Sequence, residues 1–348
     1  MKYLSLFTGI GGFELGIQQA YESNTKHAPI SEESKSEERP QGRVRSTNLN
    51  GTLLHDRDRS APLCVGFSEI DKYATQIYQK HFPEHKNYGD ITKIKTEELP
   101  DFDLLVGGFP CQAFSIAGKR GGFQDTRGTL FFEIARILRD KRPSIFLLEN
   151  VKGLLSHDNG NTFKTIISTL DELGYDLQWQ VLNSKNFGVP QNRERVFIVG
   201  HLRGTSRPEV FPIRGGNSKN LEQIIGGGQG NRVYDTGGVS TTIASQAGGQ
   251  GAKTGLYAIS YHNNRNISTK TNNSNSLTSS FRGHPDGDGR PAVFDGTRIR
   301  RLTPTECERL QGFPDGWTEG ISDTQRYKCL GNAVTVNVIQ AIMERLSA

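Results

Sequence analysis

From the N-terminus to about residue 200, short apolar runs alternate with segments of helical period, and this alternation restricts the fold more than any other feature of the chain. Leu4-Ser5-Leu6-Phe7, Cys64-Val65-Gly66-Phe67, Leu104-Leu105-Val106, Ile145-Phe146-Leu147-Leu148 and Val196-Phe197-Ile198-Val199 read as buried strands. Between them, Leu130, Phe131, Ile134, Ile137 and Leu138 mark one helical face. Phe163, Ile166, Ile167, Leu170 and Leu173 mark another, with Gly174 placed to close it. Strands separated by helices of this length predict an α/β fold, a doubly wound and mostly parallel sheet.

Two stretches interrupt the rhythm. Residues 22–61 are rich in Ser, Glu, Arg and Asn with little apolar content, and read as a mobile surface insertion. Residues 201–298 are dense in Gly, Ser, Asn and Thr, with short β-like pieces such as Arg232-Val233-Tyr234 and Thr241-Thr242-Ile243, which suits a smaller irregular β-rich domain. Helical order returns from 299 to 348. Thr303-Pro304-Thr305-Glu306 is a capping-box pattern with proline at the first helical position. Val334, Val338, Ile339 and Ile342 line one face of a terminal helix. The expected organisation is therefore a catalytic and cofactor-binding domain over 1–200, the β-rich domain over 201–298, and a hinge and C-terminal helix over 299–348 that return to the first domain.

In open α/β sheets, ligands bind outside the C-terminal ends of the strands. Phe7-Thr8-Gly9-Ile10-Gly11-Gly12-Phe13 occupies that place after the first strand and opens a helix, so backbone amides can approach a cofactor. A dinucleotide fingerprint needs G-x-G-x-x-G, but the third glycine position is Glu14, whose charge would sit where a pyrophosphate belongs. A less anionic nucleoside is favoured. Glu69 lies just past the second strand, where an acid accepts hydrogen bonds from both ribose hydroxyls, and Asp90 is placed to hold an adenine amino group. Together these point to S-adenosylmethionine.

Cys111 follows the third strand in Gly107-Gly108-Phe109-Pro110-Cys111-Gln112, on the same edge. A free thiol has a pKa of about 8.5, so a nucleophilic cysteine needs a positive or dipolar setting, and Lys119, Arg120 and Arg127 follow nearby. Glu149 ends the fourth strand, where a carboxyl kept protonated by burial would donate to a ring nitrogen. Along an extended Gln191-Asn192-Arg193-Glu194-Arg195, Gln191, Arg193 and Arg195 share a face, and the two arginines suit a carboxylate and a phosphate.

Composition narrows the partners. The net charge of +5 and a pI near 8.9 permit nucleic acid, with local excess at Lys119 to Arg127 and at Gly296 to Arg301. The four cysteines, Cys64, Cys111, Cys307 and Cys329, include no C-x-x-C pair, so neither a disulfide framework nor a metal site is expected, and a reducing cytosol fits. The apolar N-terminal run is too short for a signal sequence and no run approaches membrane-spanning length, so a soluble cytoplasmic protein is expected.

The order of these blocks resembles that of bacterial cytosine-C5 DNA methyltransferases of restriction-modification type. The matching blocks are Phe7 to Gly12, Glu69-Ile70-Asp71, Gly108 to Gln112 with Phe114-Ser115, Glu149-Asn150-Val151, Gln191 to Arg195, Arg301 to Cys307, and Gly331-Asn332-Ala333-Val334. The resemblance spans nearly the whole chain. It implies a class I S-adenosylmethionine-dependent, Rossmann-like methyltransferase fold, with a target-recognition domain in the Gly-rich segment. By the same resemblance, Cys111 would add to cytosine C6 while Glu149 contacts N3 and the exocyclic amine, and Arg195 would bear on Glu149 and the flipped base with Arg193 in support. Phe7, Gly9, Ile10, Gly11, Gly12, Glu69, Ile70, Asp90 and Ile91 match cofactor-contacting positions. Gly108, Pro110, Leu130, Asn332, Ala333 and Val334 complete that set.

DNA contacts are implied for Gln112, Ser115, Lys119, Arg120 and Arg127 in a mobile active-site loop. In the recognition segment they are implied for Gln229, Arg232, Tyr234 and Thr242. The implied partner is double-stranded DNA, the cofactor product is S-adenosylhomocysteine, and no metal is needed. A monomer working at the nucleoid is expected, beside a restriction endonuclease that need not touch it. An RNA cytosine methyltransferase on the same scaffold is the nearest alternative, but the Cys-Phe-Thr block of eukaryotic-type tRNA enzymes is missing here. A catalytically idle DNA-binding protein would have no use for a nucleophile beside a carboxyl group. The family ordinarily joins its first two blocks by a short helix and turn, so the insertion at 22–61 departs from its pattern.

Overall fold

The computed structural model describes residues 1–27, 61–110, 130–205, 208–215 and 302–347, together with the backbone of short strands at 223–225, 233–234, 240–241, 256–260 and 297–300. Six strands form the central sheet: β1 (Lys2–Leu6), β2 (Leu63–Ser68), β3 (Leu104–Gly108), β4 (Ile145–Val151), β5 (Tyr175–Asn183) and, after the short β6 (Gln191–Asn192), β7 (Glu194–Leu202). Their order is β2-β1-β3-β4-β7-β5. The pairs β1–β2, β1–β3 and β3–β4 are parallel, and β7 runs antiparallel to both β4 and β5. The fold is thus an α/β doubly wound, mostly parallel sheet with one reversed strand.

The chain winds outward in one direction from β1 to β2 and in the other from β3 to β4. The turns that leave β1 and β3 therefore part company above two adjacent strands, where a crevice opens. Leu6 pairs with Gly107, and Gly108 with Glu149, so three strand ends lie level along one edge.

Helices cover both faces because each strand interior is apolar on both sides. On one face α3 (Leu130–Lys141) and α4 (Asn161–Glu172) bury Phe131, Ile134, Leu138, Ile166 and Leu170 against Leu4, Leu105, Phe146 and Ile198. On the other, α1 (Gly12–His27) packs on α7 (Val336–Leu346), with Phe13, Ile17, Val338 and Ile342 against Leu104, Val106 and Val199. A third cluster joins α2 (Lys72–His81) to α5 (Pro304–Leu310) and α6 (Asp323–Asn332) through Ala74, Ile77, Cys307, Phe313 and Leu330. The capping box forms as the sequence predicts, with Glu306 N donating to Thr303 Oγ1 at 3.3 Å and Thr303 N to Glu306 Oε2 at 2.8 Å. Gly174 closes α4 at φ +91°.

Two expectations change. Helix α1 runs to His27, so residues 22–27 belong to it and not to an insertion; the remainder, 28–60, lies outside the described residues. Strand β7 passes the expected domain boundary at 200, and Val210, Phe211 and Ile213 are buried in the second core. Residues 208–213 are gripped by side chains. Gln178 Oε1 accepts from Val210 N and Phe211 N, Gln180 bonds both N and O of Ile213, and Arg345 donates to the carbonyls of Val210 and Pro212. We therefore propose that the first domain extends to 215. Beyond it, β8 (Gln223–Ile225), β9 (Val233–Tyr234), β11 (Leu256–Ser260) and β12 (Thr297–Arg300) form a sheet ordered β12-β11-β9-β8, and β10 (Ser240–Thr241) pairs with β6. This is β structure within the segment expected to be β-rich.

Close approach of α1 to α7 depends on Gly16, where a Cβ would lie 2.6 Å from Ile339 Cβ and 3.0 Å from the Val336 carbonyl oxygen. Gly16→Val should lower unfolding stability by about 1–3 kcal/mol through overpacking, read as a reduced urea midpoint with unchanged slope.

Candidate active site

The edge above β1 is shaped by backbone conformation. Phe7, at φ +52°, leaves the strand in the left-handed region, and Gly9 and Gly11 follow at φ +60° and +90°. Such a run turns the chain sharply before α1 begins. Gly11 N donates to Thr8 O at 3.3 Å, and Thr8 N to Ser68 O at 3.4 Å. A Cβ at Gly9 would meet nothing within 4 Å, so this backbone faces open space. Gly12 serves packing instead, because a Cβ there would lie 2.8 Å from Val334 Cγ1.

Glu69 stands over the turn from the end of β2. Its Oε2 accepts from Gly9 N at 2.9 Å, and its Oε1 from Ile70 N and Asp71 N at 2.8 Å each. Oε1 is thereby fully engaged, and Oε2 retains a lone pair for a hydroxyl. Ile70 beside it is 77% exposed, an apolar side chain held out as a flat partner for a heterocycle. Asp90 caps the short helix Ile91–Lys93, its Oδ1 accepting from Thr92 N and Oγ1 at 3.0 and 2.8 Å, and these bonds hold its carboxyl below the usual carboxylate range. Gly89, at φ +69°, also leaves open space where a Cβ would stand. The cradle between Gly9, Glu69, Ile70 and Gly89 fits an uncharged nucleoside, with an acid for the ribose, an apolar face for the base and little room lost to side chains.

The second half of the edge is acidic and basic. Glu149 Oε1 lies 3.0 Å from Arg195 Nε, with the two side chains 13% and 17% exposed. Burial raises the Glu149 carboxyl above its ordinary value, against the opposing pull of Arg195 and Arg193. Its Oε2 lies where a Cβ on Gly108 would come within 3.1 Å, so glycine at 108 keeps the carboxyl over the exit of β3. There the chain passes through buried Phe109 to exposed Pro110.

Other expected site residues fall elsewhere. Arg193 is buried and donates to the carbonyls of Gly331 and Ala333 at 3.1 and 2.9 Å, whereas Arg195 pairs with Glu149. Arg193 ties the Gly331-to-Val334 block to the sheet. Gln191 similarly donates to Leu310 O at 2.8 Å. Ile10, expected at the cofactor, points its side chain fully into the third core, and its carbonyl accepts from Trp317 Nε1 at 2.9 Å. Alternation explains this, since the residue between Gly9 and Gly11 faces away from the crevice. Glu14 does not face the crevice either; it is buried beneath the turn. Phe7 and Leu130 pack against the first core, Ile91 is buried, Ala333 and Val334 are buried against α1 and α5, and Asn332 is exposed. Cys111, Gln112, Ser115, Lys119, Arg120, Arg127, Gln229, Arg232 and Thr242 lie outside the described residues, as does the side chain of Tyr234 in β9. The described cysteines 64, 307 and 329 are buried free thiols.

Comparison with known proteins follows this geometry. The sequence model of the C-5 cytosine-specific DNA methylase family matches residues 58–348. The chain is 42% identical over 309 residues to the type II methyltransferase M1.ScrFI of Lactococcus lactis subsp. cremoris, covering 86% of this chain and 75% of that protein. It is 38% identical over 352 residues to the type II methyltransferase M.NlaX of Neisseria lactamica, covering 100% and 96%. Among solved structures, the S. pombe Dnmt2 methyltransferase superposes with a TM-score of 0.64 at 18% identity, over 99% of this chain and 97% of that one, a likeness of fold.

One residue of the edge was passed over in the sequence. Asn150 is 2% exposed, and its Nδ2 donates to Phe109 O at 2.9 Å while its Oδ1 accepts from Val151 N at 2.8 Å. It clamps the turn that carries the chain out of β3 toward Cys111. The signal was available as the middle residue of Glu-Asn-Val, whose side chain faces opposite to Glu149. Asn150→Ala should leave the Phe109 carbonyl buried without its donor and reduce stability by about 1–3 kcal/mol, measured by urea unfolding.

Proposed function

Because the chain belongs to the C-5 cytosine-specific DNA methylase family, we propose that Cys111, Glu149 and Arg195 form its catalytic group. The protein is a DNA (cytosine-5-)-methyltransferase: it transfers a methyl group from S-adenosylmethionine to C5 of a cytosine at specific sites in DNA, as restriction-modification methyltransferases do. The observation that carries the assignment of residues is the Glu149–Arg195 pair, partly buried beside the exit of β3 and level with the glycine turn after β1.

S-adenosylmethionine supplies an electrophilic methyl carbon on a sulfonium. The target carbon is inaccessible within stacked duplex, so the cytosine rotates out at a cost of a few kcal/mol. The Cys111 thiolate forms a bond to C6, and the electron pair displaced from the ring settles on N3, where the Glu149 carboxyl donates its proton. Burial supports that role, since it raises the carboxyl while Arg195 keeps it oriented. C5, electron-rich in the resulting enamine, would take the methyl group as the S–CH3 bond breaks, its electron pair staying on sulfur in the thioether S-adenosylhomocysteine. Loss of the C5 proton to solvent, return of the N3 proton to Glu149 and breakage of the C6–sulfur bond then restore the ring, Glu149 and the thiolate.

Glu69 is assigned to the ribose hydroxyls, Ile70 to the adenine face and Asp90 with Ile91 to its edge, while Phe7, Gly9 and Gly11 offer backbone to the cofactor. Gly12, Gly108, Pro110, Leu130, Asn332, Ala333 and Val334 shape the walls, with Arg193 fixing the last block. Lys119, Arg120 and Arg127 supply charge to the DNA backbone, and Gln112 and Ser115 lie next to the nucleophile. Target recognition is assigned to the segment that follows residue 215, with Gln229, Arg232, Tyr234 and Thr242 as readers of base edges. All catalytic groups come from one chain, which suits a monomer acting on one strand at a time. A restriction endonuclease reading the same site needs no contact with it. A DNA substrate implies work in the cytoplasm at the nucleoid.

Cys111→Ser should abolish methyl transfer while S-adenosylhomocysteine still binds by calorimetry, because the glycine turn and Glu69 are untouched. On duplex DNA carrying 5-fluorocytosine, the wild type should form a band that survives denaturing electrophoresis and Cys111→Ser none. Glu149→Gln should slow single-turnover methyl transfer by about a hundredfold or more with DNA binding changed far less; equal losses in both would assign Glu149 a structural role.

A further inference from the structure

Beneath the glycine turn lies a buried polar cluster that the reaction above does not use. Ser5, Thr8 and Glu14 are each 4% exposed or less. Thr8 Oγ1 donates to Glu14 Oε1 at 3.1 Å, and the Ser5 hydroxyl bonds the same Thr8 oxygen. Glu14 Oε2 has no hydrogen-bond partner among the described residues. The groups facing it are neutral: Tyr3 from β1, Cys64 from β2 and Tyr78 from α2, with the Tyr78 hydroxyl 2.9 Å from His85 Nδ1. No ion pair forms to it from any described lysine, arginine or histidine.

A carboxylate here would be buried beside an orphaned oxygen with no counter-charge, an arrangement that is strongly unfavourable. Hydrogen bonding from Ser5, the Glu14 amide, Thr8 and Tyr78 favours an anion, but burial outweighs it and raises the Glu14 carboxyl. In the neutral acid Thr8 donates to Oε1, which leaves Oε2 to carry the proton. Thr8 is itself part of the turn, with its carbonyl accepting from Gly11 N and its neighbour Gly9 donating to Glu69.

We propose that Glu14 is a positioning residue for the cofactor, a neutral acid that holds Thr8 from below so that the Phe7-to-Gly11 turn keeps the shape Glu69 braces from above. The proposal rests on the reading of that turn as the S-adenosylmethionine site. Ionisation of Glu14 would bury a charge with no counter-charge beneath the turn, and relief of that cost by opening toward solvent would loosen the turn. The sign follows. With its folded value raised, Glu14 stabilises the fold most below the ordinary glutamate range, and that stabilisation fades as pH rises through the raised value. Burial also raises Cys64, to about 12, and Tyr3 and Tyr78, and lowers His85.

The test uses the full chain and S-adenosylhomocysteine as probe, by calorimetry from neutral to alkaline pH, with methyl transfer to duplex DNA measured alongside. Glu14→Gln, neutral and of the same shape, should bind within about threefold of wild type, whereas Glu14→Leu should bind about tenfold more weakly. In Glu14→Leu the KM for the cofactor should rise while kcat at saturation stays nearly constant. Wild-type affinity should fall with rising pH and that of Glu14→Gln should not, and the stability of Glu14→Gln relative to wild type should grow over the same range. Thr8→Val, a second route to the same loss, should reproduce the weakened binding if Glu14→Leu fails to fold. Unchanged binding in folded Glu14→Leu or in Thr8→Val, or the same pH profile in Glu14→Gln as in wild type, would overturn the proposal. A wild type that bound no S-adenosylhomocysteine while still forming the 5-fluorocytosine adduct would overturn the cofactor reading of the turn, and this inference with it.

Discussion

The parallel pairing of β1 with β3 is the constraint on which the rest of the molecule depends. Leu6 lies beside Gly107, so the turn after β1 and the exit of β3 open side by side. The chain must diverge there because its two crossovers travel in opposite directions, one toward β2 and the other toward β4. The glycine turn and the chain leaving β3 are thereby brought side by side by strand pairing alone. Adding β4 beside β3 sets Glu149 against Gly108, and adding β7 antiparallel to β4 sets Arg195 opposite Val151, two positions along from the Phe197–Glu149 pair and so on the same face. A reversed strand is useful at this position, since its N-terminal end reaches the same edge as the C-terminal ends of its neighbours.

The C-terminal helices complete what the sheet begins. Val334 fits against Gly12, Ile339 against Gly16, and Arg193 reaches from the start of β7 to the carbonyls of Gly331 and Ala333. Gln311 extends this bracing: its Nε2 donates to Leu330 O, and its Oε1 accepts from Thr335 Oγ1, which in turn meets Ser184. A buried network with its members paired is rigid and specific. Residues more than a hundred positions apart thus share one wall of the crevice.

Much of this was legible in the amino-acid order, and the failures have physical causes. Five strands and the faces of α3, α4 and α7 follow from apolar period, because each buries a complete side. Strand β5 escaped notice since it lies at the edge of the sheet and carries Gln178 and Gln180, which read as surface but are spent on gripping residues 208–213. The reversal of β7 was illegible because an apolar run has no direction; only its partners assign one. Ile10 was taken for a cofactor contact by its place between two glycines, whereas alternation turns it into the third core. Glu14 was read as a charge facing the cofactor, and its burial reverses both its direction and its expected ionisation. The pairing of Glu149 with Arg195 was foreseen from the resemblance, while Asn150, between two noticed residues, was overlooked because its work is done on a backbone carbonyl.

The attachment of residues 208–213 has a further consequence. Gln178, Gln180 and Arg345 grasp main-chain amides and carbonyls of Val210 to Ile213, and ask of the segment mainly that it supply apolar side chains to the second core. Such a holder is indifferent to most of the sequence it holds. Substitutions that keep apolar side chains at 210, 211 and 213 therefore leave the tether in place.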